Sequence, residues 1–360
     1  MAQKKSQNNR RTPSPQKKAA STAKRYVKRQ VRKTARRHPI LVLSIVLIAI
    51  VLLVGGFFLA QRFGLLDAFL GGESATTEQA TRAPVRPVDG TAEIHMIDMG
   101  QGDSILLSTA EGYMLIDAGD NNNASRQAIV DYLNGKGVAE LEWLVLTHPD
   151  ADHIGGAKKV IETYHVKRVL LSDRTNSTAT YNNMIQAILD SEGTEVYIIE
   201  TDDTLSTDPT VTATIWHAGQ TFSLGDVDFK VLGPISTPSS NNNASVVLQM
   251  QFGATSALLT GDMEEAEIAD VMATYAAYIP CDLLKVGHHG SRNANTQALI
   301  EAAHPTYAII SCGEGNDYGH PHAETIERLT AVGAVILRTD LRGDIVFVTD
   351  GTSWSYTTEK

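Results

Sequence analysis

The decapeptide Thr147-His148-Pro149-Asp150-Ala151-Asp152-His153-Ile154-Gly155-Gly156 places two imidazoles and two carboxylates within six residues. Imidazole nitrogen and carboxylate oxygen are the ligands of hydrolytic divalent-metal sites. A cation held there acidifies water and offsets charge building on a substrate. Any one of these residues alone reads most simply as part of a solvated acidic turn. Four together, directly after the apolar run Trp143-Leu144-Val145-Leu146, point to a loop that leaves a buried strand and turns its side chains toward one place. Gly155 and Gly156 let the next helix begin close to that place.

The decapeptide resembles the His-x-His-x-Asp-His signature of the metallo-β-lactamase superfamily, with Asp150 where the second His stands. Three further segments narrow the resemblance: Asp98-Met99-Gly100-Gln101-Gly102-Asp103-Ser104, Leu284-Lys285-Val286-Gly287-His288-His289-Gly290-Ser291, and Asp317-Tyr318-Gly319-His320-Pro321. Together they are similar to the extracellular hydrolase domain of ComEC-type competence proteins, over roughly Ala92 to Thr349.

The resemblance implies an α/β fold, a four-layer αββα sandwich, and two divalent metal ions, Zn²⁺ or Mn²⁺. His148 and Asp150 would hold one ion, and Asp152 and His153 the other. Asp262, in Leu258-Leu259-Thr260-Gly261-Asp262-Met263-Glu264, matches the carboxylate that bridges both; its plainer reading is a cap for the helix that follows. One of His288 and His289 should complete the second ion, with His288 favoured, and His289 would then face substrate or a carboxylate. Asp117 would brace the metal loop, and Asp98, Asp103 and Asn242 would support the ligands or touch substrate. Asn242 reads equally well as part of a turn. Asp152, Asp262 and His320 form the expected catalytic set, with His320 bonding a phosphate oxygen or protonating a leaving group. Of the remaining candidates for a further ligand, His165 reads as a surface or capping position at a helix end, and His217 follows a strand but lacks the glycine-rich context of the family. Asp150 in place of an imidazole hardens the first position and makes Mn²⁺ credible beside Zn²⁺.

The expected activity is two-metal hydrolysis of a phosphodiester, with DNA the leading substrate and a wall-polymer phosphodiester or small ester as others. The alternative is a non-catalytic ectodomain that binds DNA or a protein partner in a competence-type assembly.

These side chains need elements to position them. From Thr91 the chain alternates short apolar strands with amphipathic helices. Strands are expected at 92–98, 104–109, 113–117, 143–147 and 168–172, and helices at 124–134, 157–164 and 181–190. A second sheet is expected from 211–216, 228–232, 246–252 and 256–260, followed by strands at 282–286, 307–311, 335–338 and 345–349 and helices at 264–275, 296–303 and 324–332. Two sheets packed face to face under two outer helical layers follow from that pattern.

The 360 residues carry a net charge of -10, divided unevenly. Residues 1–39 hold 14 Lys and Arg and no Asp or Glu, so the remainder carries -10 - 14 = -24. The first segment is expected to be a disordered cytoplasmic tail. Residues 40–60, ILVLSIVLIAIVLLVGGFFLA, are long enough for one transmembrane helix, and the basic flank would keep the N-terminus inside the cell. Residues 61–90 read as a linker and 91–360 as the hydrolase domain, outside the membrane. Its acidity opposes long-range attraction of nucleic acid. Cys281 and Cys312 fall at opposite ends of neighbouring parallel strands, beyond disulfide reach, and are expected to be free thiols.

Overall fold

The computed structural model describes residues 88–201 and 211–360. The tail, the apolar run 40–60 and nearly all of the linker lie outside the described residues. Among the described residues no helix is long and apolar enough to cross a membrane.

The strands are β1 (Ala92–Met96), β2 (Ile105–Thr109), β3 (Gly112–Ile116), β4 (Glu140–Leu141), β5 (Trp143–Leu146), β6 (His165–Val166), β7 (Arg168–Ser172), β8 (Glu195–Ile199), β9 (Thr214–Trp216), β10 (Thr221–Leu224), β11 (Val227–Gly233), β12 (Val247–Phe252), β13 (Thr255–Leu259), β14 (Leu283–Lys285), β15 (Tyr307–Ile310), β16 (Val335–Arg338), β17 (Ile345–Thr349) and β18 (Trp354–Thr358). One sheet runs β18-β17-β1-β2-β3-β5-β7-β8-β9 and a second runs β10-β11-β12-β13-β14-β15-β16, with β4 and β6 forming a small pair.

Side-chain alternation sorts the strands into layers. In β5, Trp143 and Val145 enter the core between the sheets, while Leu144 and Leu146 enter the core under the helices. Both faces are buried, so the strand is apolar throughout rather than alternating with polar residues. The inter-sheet core joins Ile94, Met96, Leu107 and Met114 to Phe229, Leu248, Met250 and Leu259. Outside the first sheet lie helices Asn123–Gly135, Ala157–Thr163 and Ala179–Asp190, and outside the second lie Glu265–Tyr275, Gln297–Ala303 and Ala323–Ala331. Separate apolar clusters seal each helical layer to its sheet. The result is the expected order of helix, sheet, sheet, helix.

One expectation is corrected. The segment expected at 211–216 in the second sheet forms β9 at the edge of the first, parallel to β8. Residues 345–349 form the expected strand, β17, which joins the first sheet antiparallel to β1. Two strands not expected from the sequence set these positions: β8 offers β9 a parallel edge, and β17 forms a hairpin with β18. Strand pairing is decided by long-range packing that local pattern does not carry. The two cysteines form no disulfide, as expected, and both are buried.

The topology gathers the chemistry. β3 and β5 are parallel, as are β13, β14 and β15. Asp117, the 147–153 loop, Asp262, His288 and His289, and Ser311 all follow the C-terminal ends of those strands. Ligand sites in sheets of this kind form beyond those ends.

Candidate metal centre

Asp117 stands at the centre of the brace. Its Oδ1 accepts the Thr147 amide at 2.8 Å, and its Oδ2 accepts the Thr147 hydroxyl at 2.7 Å. His153 Nδ1 lies 2.7 Å from the same Oδ2. Asp117 holds φ 58°, a left-handed backbone that costs a residue bearing a Cβ about 1–2 kcal/mol. His288 and His289 share that strain, at φ 48° and 52°. Such strain persists where surrounding contacts over-determine it.

Three imidazoles face inward in the same orientation. His153 donates Nδ1–H to Asp117, an acceptor-only carboxylate. Its Nε2 lies 3.2 Å from Asp262 Oδ2 and 4.0 Å from Asp152 Oδ2. His289 donates Nδ1–H to the Ser311 carbonyl at 2.9 Å, and its Nε2 lies 3.2 Å from Asp152 Oδ2. His148 Nδ1 lies 3.1 Å from Thr147 Oγ1. That hydroxyl spends its proton on Asp117 and can only accept, so His148 Nδ1 carries the hydrogen. Each Nε2 then points inward, where a cation could take the place of a second ring proton. His148 Nε2, His153 Nε2 and Asp262 Oδ1 are buried without a hydrogen-bond partner. Orphaned buried polar atoms that converge are what a cation site requires, and imidazole and carboxylate are a fitting donor set. Ligand atoms of His148, His153 and Asp262 lie within 4.8 Å of one another, as do those of Asp152, His153 and His289.

The electrostatics balance without a cation only by moving protons. Burial alone would lower His153, but the carboxylates of Asp262, Asp117 and Asp152 outweigh it and hold the imidazole well above its ordinary value. Burial likewise opposes charge on His289, and Asp262 and Asp152 push it up. Burial and the neighbouring His153 hold His148 well below the usual imidazole range. Burial would raise Asp262, yet His153 and His289 keep it ionised.

Lys285, 1% exposed, pairs with Asp103 Oδ2 and lies 3.7 Å from Asp262 Oδ1. Burial disfavours its charge, but Asp103 and Asp262 keep it protonated. Asp103 therefore supports the cluster through Lys285 and lies 3.5 Å from His289 Nδ1.

The other expected residues are distributed as follows. Asp150 stands half-open beside the cluster: Oδ2 is 3.7 Å from His148 Nε2, and Oδ1 accepts from Asn241 Nδ2 at 2.6 Å. His288 is more open than His289, with Nε2 3.8 Å from Asp262 Oδ2 and Nδ1 3.3 Å from Glu264. The pair lies in a short 3₁₀ turn rather than at a strand end, so His289, not His288, falls inside the tight cluster. Asn242 Nδ2 is 3.4 Å from His288 Nδ1. His320 stands beside both, with ring centroids 5.3 Å from His288 and 6.3 Å from His289. Burial and those imidazoles lower His320 to about 4, which leaves it neutral at pH 7. Asp98 bonds Gly100 and lies near Lys360, outside the cluster. His165 is exposed and His217 bonds the Glu200 carbonyl, both apart from the site. Burial and Asp340 raise the Cys312 thiol to about 12, so it stays protonated.

Gly155 and Gly156 earn their place by space rather than by φ. Their amides donate to Gly119 and Ala118 carbonyls, and a Cβ on Gly155 would fall 2.2 Å from the Asn121 nitrogen.

Sequence reasoning missed Lys285, Asn241, Thr147, Ser245 and Ser311. Lys285 had a signal: a lone cation inside Leu283-Leu284-Lys285-Val286 demands a buried partner. The hydroxyl residues had none.

Comparison with known proteins agrees with this geometry. The chain is 33% identical over 272 residues to ComE operon protein 3 of Bacillus subtilis, covering 71% of this chain and 33% of that protein. It is 30% identical to competence protein ComA of Neisseria gonorrhoeae, covering 72% and 32%. It is 28% identical to recombination protein 2 of Haemophilus influenzae, covering 71% and 28%. The chain thus spans about a third of the length of the curated relatives it matches. Residues 97–314 match the profile of one family, and with the two-sheet sandwich and the strand-end cluster already in place, the conclusion is that this chain belongs to the metallo-β-lactamase superfamily.

Proposed function

We propose that the chain is a metal-dependent phosphodiesterase or nuclease, tethered by residues 40–60 with its hydrolase domain outside the cell membrane. The observation that carries this reading is the shared orientation of His148, His153 and His289. Each commits Nδ1–H to an outer partner and turns Nε2 inward, into the cluster with Asp152 and Asp262.

Two divalent cations, Zn²⁺ or Mn²⁺, suit the donors. His148, Asp150 and Asp262 would hold one, and Asp152, His153 and His289 the other, with Asp262 shared. His289 replaces His288 here because its Nε2 lies against Asp152 while His288 turns toward Glu264. When bound, the cations would supply Lewis acidity that acidifies water and neutralises phosphoryl charge.

The chain's own groups do the rest. Asp262 has two oxygens, and its backbone amide is tied to Ser245 Oγ at 3.0 Å, so the carboxylate can serve both positions. Asp117 and the Ser311 carbonyl lock two imidazoles in one tautomer. His320 is neutral and half-open, and offers a ring nitrogen to a phosphate oxygen rather than a stored proton. Similarity to proteins named for competence and recombination supports DNA as the leading substrate.

The test is turnover of bis(p-nitrophenyl) phosphate by the full chain with Mn²⁺ or Zn²⁺, followed by plasmid nicking. Hydrolysis should vanish with chelator and in Asp152→Ala and Asp262→Asn. No turnover with either metal, alongside retained DNA binding, would favour the non-catalytic ectodomain.

A further inference from the structure

Tyr318 leaves 67% of its surface in water at the rim of the cluster. Its ring lies nearly parallel to His320, with centroids 5.7 Å apart and planes at 21°. His320 in turn stands 5.3 Å from His288 by ring centroid. The exposed ring is therefore one layer out from the imidazoles of the site.

The loop holding Tyr318 is braced. Asn316 Nδ2 donates to the carbonyls of Gly313 and His320 at 2.9 and 2.6 Å, and Asn316 Oδ1 accepts from the His320 amide at 3.0 Å. Gly313 donates to Gln101 Oε1 at 3.1 Å, which ties the loop to the 98–104 turn. One asparagine thus brackets the tyrosine from both sides. Among the described residues the Tyr318 hydroxyl makes no hydrogen bond, so the protein uses neither its polar tip nor its outer face. A buried aromatic would gain from packing, yet this one is held open beside the place a phosphodiester would occupy.

We propose that Tyr318 is a stacking platform for a nucleobase, so that the site takes a diester carrying a nucleoside next to the scissile phosphate. This rests on the phosphodiesterase reading and narrows its substrate class. Base–aromatic stacking is tolerant of sequence, because every base presents a π-face. It also needs no positive surface, which suits a chain whose residues beyond 39 carry a net -24 (from -10 - 14). A polyol phosphate of the cell wall has no ring to place there.

The test compares two esters with the same leaving group, thymidine 5′-(p-nitrophenyl phosphate) and methyl p-nitrophenyl phosphate, on the full chain with Mn²⁺. Tyr318→Ala should lower the ratio of kcat/KM for the thymidine ester over the methyl ester roughly tenfold, mostly through KM, and Tyr318→Phe should preserve it. An unchanged ratio in Tyr318→Ala overturns the proposal. So does a wild-type preference for a glycerol p-nitrophenyl phosphate diester over the thymidine ester, which would point to wall polymer instead. If the wild type cleaves none of these, the phosphodiesterase reading fails, and calorimetric binding of a thymidylate oligomer still decides on stacking. Weaker binding by Tyr318→Ala but not Tyr318→Phe upholds the platform, and equal binding by all three chains removes it.

Discussion

His153 Nδ1 sits 2.7 Å from Asp117 Oδ2, and that contact joins two sequence segments into one candidate metal-binding unit. The carboxylate that orients the imidazole also fastens Thr147, the first residue of the ligand loop, through two further bonds. Orientation of the ring and position of the loop therefore depend on one side chain.

Asp117→Asn should weaken Mn²⁺ binding about 10–100-fold, the usual cost of removing a carboxylate behind a ligating His. Asp117→Ala should also destabilise the fold by about 1–3 kcal/mol, because the buried Thr147 amide loses its acceptor. Chelator competition and urea unfolding read the two effects separately. Unchanged affinity in both variants would detach Asp117 from the site.

The protons on His153 and His289 make the site pH-sensitive. Both groups are raised above 6.5. A raised imidazole contributes stability that is fully present below its unfolded value and is lost as pH rises through the folded value. Above neutral pH the metal-free chain should therefore weaken. Cations must displace the same protons, so binding should strengthen over that range and release protons. Urea midpoints of chelated protein and calorimetry in two buffers of different ionisation enthalpy check both signs. Binding without proton release would contradict the charge balance described above.

Lys285 and Asp103 are a buried pair. Lys285→Met leaves the Asp103 carboxylate unpaired and should cost about 3–5 kcal/mol. The double variant Lys285→Met/Asp103→Asn should recover much of that loss. Equal destabilisation in single and double variants, measured by urea unfolding, would mean that the charge of Asp103 is not the cause.

Arg174 Nε donates to Asn241 Oδ1 at 3.0 Å, and Asn241 Nδ2 donates to Asp150 Oδ1 at 2.6 Å. Arginine only donates and carboxylate only accepts, so the asparagine amide has one workable orientation. Arg174→Gln and Asn241→Leu should each loosen Asp150 and lower affinity for one of two Mn²⁺ equivalents by about tenfold or more. Isothermal titration resolves the two classes. Two unchanged classes would show that the relay does not position Asp150.

Much of this site could be read from the residues. The His148–His153 loop follows an apolar strand, so its place at a strand end was visible, as was the layered sandwich; Asp262 and the His288–His289 pair came from the family resemblance. The choice of His289 was not visible, because a 3₁₀ turn with two positive-φ residues replaces the strand end that would have alternated their directions. The placement of β9 and β17 was hidden for a different reason: each depends on an edge supplied by a distant strand. Asn241 was obscured by its neighbours, since a run of three asparagines does not say which one reaches Asp150.

The most direct measurement is anomalous X-ray diffraction from crystals of the full chain soaked in Mn²⁺. The account predicts peaks at ligand distance, about 2.0–2.3 Å, from His153 Nε2, His289 Nε2 and Asp262, with a second peak beside His148 and Asp150. A map without density between Asp262 and the three inward Nε2 atoms, at saturating Mn²⁺, would contradict it.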